Sequence, residues 1–389
     1  RFSVAHFVFI MQTSNRKEII EKTKLLVVKV GTNVLTTKEG YLNVERINSL
    51  AKDLCDIRSR GVQVVLVSSG AVGAGMARLN LAARPRDLAD LQAVAAIGQG
   101  ALIQAYEEAL ADSRLIAAQI LLTADDFTER KRYLTLRNTF ASLLNIGALP
   151  IVNENDAVSS AELSLTFGDN DRLAALVASL FSEALLILLT DVDGLYDGDP
   201  ELPDSKLVKC VQDWSPALME MVAEKKSRRS KGGMASKLKA AQIVGKAGGA
   251  MIIANGSDPA ILRKIYAYEE AGTLFLPNES LPARKRWFQH AAPCGALVVD
   301  SGAARAVKEL GKSLLPIGVV RSFGVFKKGD VVEIIDENNN EIARGLTNYS
   351  SEDARRICRK KSSEIAEALD HEGPFYEVIV HRNNLQLVQ

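Results

Sequence analysis

The sequence predicts an α/β fold: an open, mostly parallel sheet between helix layers, followed by a small, mainly β C-terminal module. Three observations predict it. Short runs rich in Val, Ile and Leu alternate with amphipathic helical stretches from Leu25 to Ala254, the grammar of a sheet with helical crossovers. The runs are apolar along their length, as in strands covered on both faces. After about Pro277 the pattern turns to short strands, a Gly-rich turn and few helices.

In order, Leu25–Val30 reads as a β-branched strand and Asn43–Arg60 as an amphipathic helix stopped by Gly61. Val62–Val67 is a strand, and Ser68-Ser69-Gly70 leads into a small-residue helix start. Arg86–Ala111 is a long helix that carries Gly98 and Gly100, Leu115–Leu122 a strand, Tyr133–Asn145 a helix and Ala148–Val152 a strand. Asp171–Ser182 is helical, Ala184–Leu189 is the most apolar strand, and Ala235–Ala247 with Ala250–Ala254 closes the series. Residues 22–277 form the larger domain and 278–293 a linker carrying Arg284-Lys285-Arg286. Residues 294–380 form the small module, with helices over Ala303–Leu310 and Ser351–Arg359.

The 389 residues, 47% hydrophobic and 24% charged, suffice for two to three packed domains. A formal charge of +1 gives no global field for nucleic acid or an anionic membrane. Cys55, Cys210, Cys294 and Cys358 are widely spaced, as for reduced thiols in a cytosolic protein rather than a zinc or redox motif. Arg1–Ile10 precede Met11, and Phe7-Val8-Phe9-Ile10 is too short to span a bilayer. Residues 1–21 are read as a disordered or mis-started extension.

Ligands of such sheets sit beyond the carboxyl ends of the strands. The polar clusters Gly31-Thr32-Asn33, Ser68-Ser69-Gly70, Asn153-Glu154-Asn155-Asp156 and Thr190-Asp191 all follow strands, which points to one composite site. Lys29 precedes Gly31, and Gly232-Gly233-Met234-Ala235-Ser236-Lys237 opens a helix. Glycines let backbone N–H groups approach an anion, and a helix N-terminus favours one. Two lysines from opposite ends of one domain suit phosphoryl transfer, one cation on each side of the moving charge. The plain alternative for Lys29 is a strand-end lysine reaching solvent. For the loops of Asn153–Asp156 and Gly168-Asp169-Asn170-Asp171 it is ordinary turn chemistry. Carboxylates in these loops could orient the lysines or meet magnesium, and no metal ligand is singled out. The run Lys225 to Lys231, five cations in seven residues, is either a solvated loop or a funnel for nucleotide. No Walker or dinucleotide fingerprint fits: Ala306 stands where Gly311-Lys312-Ser313 would need a glycine.

Together these motifs resemble, in order and approximate spacing over residues 22 to 380, the amino-acid kinase superfamily, and within it the bacterial glutamate 5-kinases with a C-terminal PUA domain. The resemblance implies that Lys29 and Lys237 hold the ATP phosphates and stabilise the transferring group, with Asp171 orienting both. It implies that Ser69, Asp156 and Asn170 bind glutamate. Thr190, Asp191 and the segment Lys231, Gly232, Gly233, Met234, Ala235, Ser236, Lys237 would bind ATP. The implied reaction is ATP- and Mg2+-dependent phosphorylation of the glutamate 5-carboxylate, opening proline biosynthesis, with proline as feedback inhibitor and a homodimer or homotetramer as the assembly. Lys231 departs from the family's usual threonine. The enzymatic rivals are kinases of aspartate, acetylglutamate or UMP. The rival of another class is an RNA-binding factor, disfavoured because residues 288–389 hold 13 Lys and Arg against 14 Asp and Glu.

Overall fold

The computed structural model describes residues 13–37, 40–113, 115–158, 170–181, 183–200, 202, 204–212, 233–277, 291–369 and 375–387. The chain divides into two compact units, Arg1–Asp126 with Leu134–Leu281, and Phe127–Tyr133 with Pro282–Gln389. The connector residues Arg284-Lys285-Arg286 lie outside the described residues.

In the first unit, β1 (Leu25–Val30) is central and buried at all six positions. It pairs in parallel with β2 (Gln63–Ser68) on one side and β5 (Leu185–Thr190) on the other. Beyond β2 come β4 (Leu149–Glu154) and the edge strand β3 (Ala117–Leu122). Beyond β5 come β7 (Ala250–Asn255), β8 (Thr273–Phe275) and β6 (Cys210–Val211). Every pairing is parallel except β7 with β8, so the mostly parallel sheet is as the sequence predicts. Strands β6 and β8 were not anticipated: two or three residues are too few to show a pattern.

The helices are α1 (Thr13–Lys22), α2 (Thr32–Leu35), α3 (Val44–Ser59), α4 (Ala71–Arg78), α5 (Leu88–Leu110), α6 (Asp125–Thr128), α7 (Arg130–Ile146) and α8 (Asn170–Ser179), then Met234–Lys246 and Ile261–Tyr266. Asn43 caps α3 by accepting from the Arg46 N–H, and Asp87 caps α5 by accepting from Ala89 and Asp90. Both are residue types that satisfy a helix's first N–H groups. Helices α4 and α5 touch backbone to backbone. A Cβ on Gly98 would lie 1.8 Å from the Ala71 carbonyl oxygen, and one on Gly75 would lie 1.9 Å from that of Val94. The core on one side of the sheet joins Leu26, Val28, Leu50, Leu54, Leu102 and Tyr106.

Helix α1 corrects the reading of residues 1–21 as an extension. Its Arg16 is buried and donates to the carbonyls of Glu269, Ala271 and Gly272, while Ile20 packs in the core. Residues 13–22 therefore belong to the folded unit, whereas Arg1–Ile10 lie outside the described residues.

The second unit is a five-stranded sheet in the order β10-β9-β11-β12-β13. Its strands are β9 (Gly295–Val299), β10 (Val319–Gly324), β11 (Val331–Ile335), β12 (Glu341–Thr347) and β13 (Val380–Leu387). The helices Ser301–Lys308 and Ser351–Ile357 are those expected, and a one-turn helix, Ile365–Ala368, is added. Strand β13 begins where the sequence boundary at 380 ended the module, so the unit is longer than expected.

Candidate active site

The site forms where the carboxyl ends of β1, β2, β4 and β5 meet α8 and the helix Met234–Lys246. Lys29 lies in β1 opposite Val67 of β2 and Leu188 of β5. It is 6% exposed, so the alternative of a lysine reaching solvent is excluded. Its Nζ lies 2.6 Å from Asp171 Oδ1, and Lys237 Nζ donates to Asp171 Oδ2 at 3.0 Å. Asp171 stands in the first turn of α8, and Lys237 in the first turn of its own helix, which starts at Met234. Burial alone would raise the Asp171 pKa. The charges and hydrogen bonds of Lys29 and Lys237 outweigh it and hold the carboxyl below its usual range. One ionised carboxylate thus clamps two ammonium groups at a helix N-terminus, leaving them side by side for a more highly charged anion.

Gly31 N–H donates to the Leu189 carbonyl at 3.1 Å, tying the turn after β1 to β5. Asp191 accepts from the Asn33 side chain at 3.3 Å and from the Thr190 hydroxyl at 3.0 Å. Burial tends to raise the Asp191 pKa, but these bonds and Lys237 lower it. Gly233 caps the helix Met234–Lys246 in an extended conformation, and a Cβ there would meet nothing within 4 Å. Among the described residues, open space therefore adjoins Gly233. Lys231, Gly232, the basic run 225–231 and Gly168-Asp169 lie outside the described residues.

A second, uncharged set adjoins the clamp. Asn170, next to Asp171, directs its Nδ2 at Ser69 Oγ (2.8 Å), Asn153 Oδ1 (3.0 Å) and the Ser68 carbonyl (3.3 Å). Asn153 is 4% exposed and donates its own Nδ2 to Gln99 Oε1 of α5 at 3.0 Å. The Ser68 and Tyr106 hydroxyls hydrogen-bond beneath, at 3.0 Å. Asp156, in the turn Asp156–Val158, lines a pocket of about 240 Å³ with Gln99, Gln119, Glu154 and Asn155. Burial, with Glu154 nearby, pushes its pKa up to about 6.

The structure thus joins Lys29, Lys237 and Asp171 in one cluster and Ser69 with Asn170 in the next. Gln99 was missed by the sequence reading; its signal is a polar residue beside Gly98, inside an otherwise small and apolar stretch of helix. Among the described residues no three His, Cys, Asp or Glu side chains converge on a metal position.

Residues 24–255 match the model of the amino acid kinase family, and residues 295–369 that of the PUA domain. The chain belongs to the amino acid kinase family. Membership makes it a kinase, with ATP as phosphoryl donor. Among its relatives, the glutamate 5-kinase of Rhodopirellula baltica is 48% identical over 96% of this chain and 96% of its own length. The glutamate 5-kinase of Caldanaerobacter subterraneus subsp. tengcongensis is 44% identical, over 94% of this chain and 98% of its own. That of a Cyanothece species is 46% identical, over 94% of this chain and 100% of its own. This kinase carries no helix, among the described residues, long and apolar enough to cross a membrane.

Proposed function

We propose that this kinase transfers the γ-phosphoryl group of ATP to the 5-carboxylate of L-glutamate, giving L-glutamyl 5-phosphate and ADP. The observation that carries the reading is the buried Lys29–Asp171–Lys237 clamp beside the neutral Ser69–Asn170–Asn153 set. A carboxylate is ionised at neutral pH, so the acceptor needs no general base. One of its oxygens bonds to the γ-phosphorus as the bond to the β,γ-bridging oxygen breaks, and the electron pair leaves on ADP. The protein's task is then position and charge. Lys29 and Lys237 neutralise the charge spreading over the phosphoryl oxygens, each contributing about 3 kcal/mol to the transition state. Asp171 holds both ammoniums in place. Thr190, Asp191 and the backbone from Gly232 to Ser236 hold the nucleotide, with any magnesium carried on its phosphates.

The Ser69 hydroxyl, its oxygen accepting from Asn170, offers its hydrogen toward the acceptor carboxylate, and Asp156 with Glu154 faces its ammonium. A five-carbon amino diacid fits this division, with a negative end at the lysines and a positive end at the carboxylates. The 43–48% identity to glutamate 5-kinases supports the same choice. On the same likeness, product flow into proline biosynthesis, proline inhibition at this site and a homo-oligomer are part of the reading.

The test is ATP-dependent hydroxamate formation with glutamate, magnesium and hydroxylamine, repeated with proline. Hydroxamate from glutamate but not from aspartate or acetylglutamate is expected. Loss of signal with proline is expected as well. A folded, ATP-binding protein that makes none from glutamate would remove the substrate assignment.

A further inference from the structure

We propose that Gln99 is a positioning residue for the acceptor, acting through Asn153 to fix the direction of the Asn170 amide. The inference rests on the functional reading above, which puts the acceptor carboxylate beside Ser69 and Asn170.

An asparagine amide is nearly symmetric in shape, so hydrogen-bond partners alone decide which end faces where. Asn170 presents its NH2 to Ser69 and Asn153, which requires Asn153 to offer oxygen. That oxygen also accepts from the Glu154 backbone N–H at 2.9 Å. The opposite end of Asn153 donates to Gln99 Oε1, so Gln99 supplies the acceptor that the nitrogen needs. With no acceptor at position 99, a reversed Asn153 gains nothing there. The unreversed one leaves a buried donor without its bond, which costs the site its order. Reversal sets donor against donor at both Asn170 and Glu154.

A second observation places Gln99 where this coupling matters. Gly98 and Gly75 bring α5 and α4 to backbone contact, and Ala71 of that contact follows Ser69-Gly70 directly. One helix pair therefore sets both Ser69 and Gln99. Gln99 also lines the pocket of Glu154 and Asp156. It stands where the two ends of the acceptor's proposed binding site meet.

Steady-state kinetics of the full chain test this. Gln99→Met keeps the length and removes the oxygen; the glutamate KM rises about tenfold while the ATP KM stays within twofold and the melting temperature falls by only about 2–8 °C. Gln99→Glu keeps an oxygen toward Asn153, and its glutamate KM at pH 8 stays within threefold of wild type. Should Gln99→Met fail to fold, polarity reversal carries the test. Gln99→Lys, a donor only, raises the glutamate KM, and adding Asn153→Asp, an acceptor on both sides, restores it. Equal glutamate KM values for Gln99→Met and wild type, equal losses in Met and Glu, or a Lys defect that Asn153→Asp leaves in place would overturn the role of Gln99. A wild type inert toward glutamate would remove the functional reading, and this inference with it.

Discussion

Asp171→Asn is the most informative single perturbation, because one carboxylate holds two buried cations. Lys29 and Lys237 are each 8% exposed at the side chain and Asp171 1%, with separations of 2.6 and 3.0 Å. Neutralising Asp171 leaves two buried cations repelling one another without the carboxylate that bridged them. Removing the partner of a buried ion pair costs about 3–5 kcal/mol in all. For a unit of this size that lowers the melting temperature by about 10 °C. A triphosphate supplies the missing negative charge, so saturating ATP should stabilise the variant more than the wild type. The pH dependence has a fixed sign. The folded carboxyl titrates below its ordinary value, so its contribution is complete above about pH 4 and is lost as pH falls through the folded pKa. Variant and wild type should therefore converge in acid. Thermal melts with and without ATP from pH 7 to pH 3 decide the matter. A ligand-free variant melting within about 2 °C of wild type at pH 7, or equal gains with ATP, would refute the clamp.

Three further outcomes are expected. Asp156, whose pKa is pushed up to about 6 by burial and Glu154, opposes folding increasingly as pH rises from about 4 through 6. Asp156→Asn should thus melt higher than wild type at pH 8 and alike at pH 4, while its glutamate KM rises; an equal difference at both pH values would contradict this. Arg16→Ala loses the bonds to Glu269, Ala271 and Gly272, and should cost about 3 kcal/mol in urea unfolding; an unmoved midpoint would detach α1 from the fold. Gly98→Ala forces a Cβ toward the Ala71 carbonyl and should cost about 3 kcal/mol and raise the glutamate KM. Gly100→Ala, with nothing within 4 Å, should gain up to about 1 kcal/mol, and matching losses at both glycines would dismiss the helix contact.

The first unit's sheet was legible because its strands are long enough to read. Leu25–Val30 and Leu185–Thr190 show unbroken apolar runs, whereas Cys210–Val211 and Thr273–Phe275 are too short to stand out. Helix α1 escaped notice for another reason. It attaches through a guanidinium bonded to backbone carbonyls more than 250 residues away, and carbonyls leave no mark in a sequence. Sequence leaves Lys29 two possible fates, because in a strand buried on both faces the period of two no longer tells inward from outward.

The two halves of the site differ in legibility for a chemical reason. A phosphoryl group demands fixed positive charge next to close backbone approach, and lysine beside glycine at a strand or helix end is rare enough to notice. The proposed acceptor half is the hydrogen-bonded set of Asn153, Asn170, Ser69 and Gln99, and these residue types fill ordinary turns and helix faces. Their proposed role lies in which end of each amide faces which neighbour, a property of the assembled network rather than of any residue. Sequence therefore shows where the charge is handled, and only the fold shows how the acceptor is aimed at it. The same logic explains why Gln99→Glu and Gln99→Met are expected to part: what α5 contributes is an oxygen in one place, and any residue that supplies it should serve.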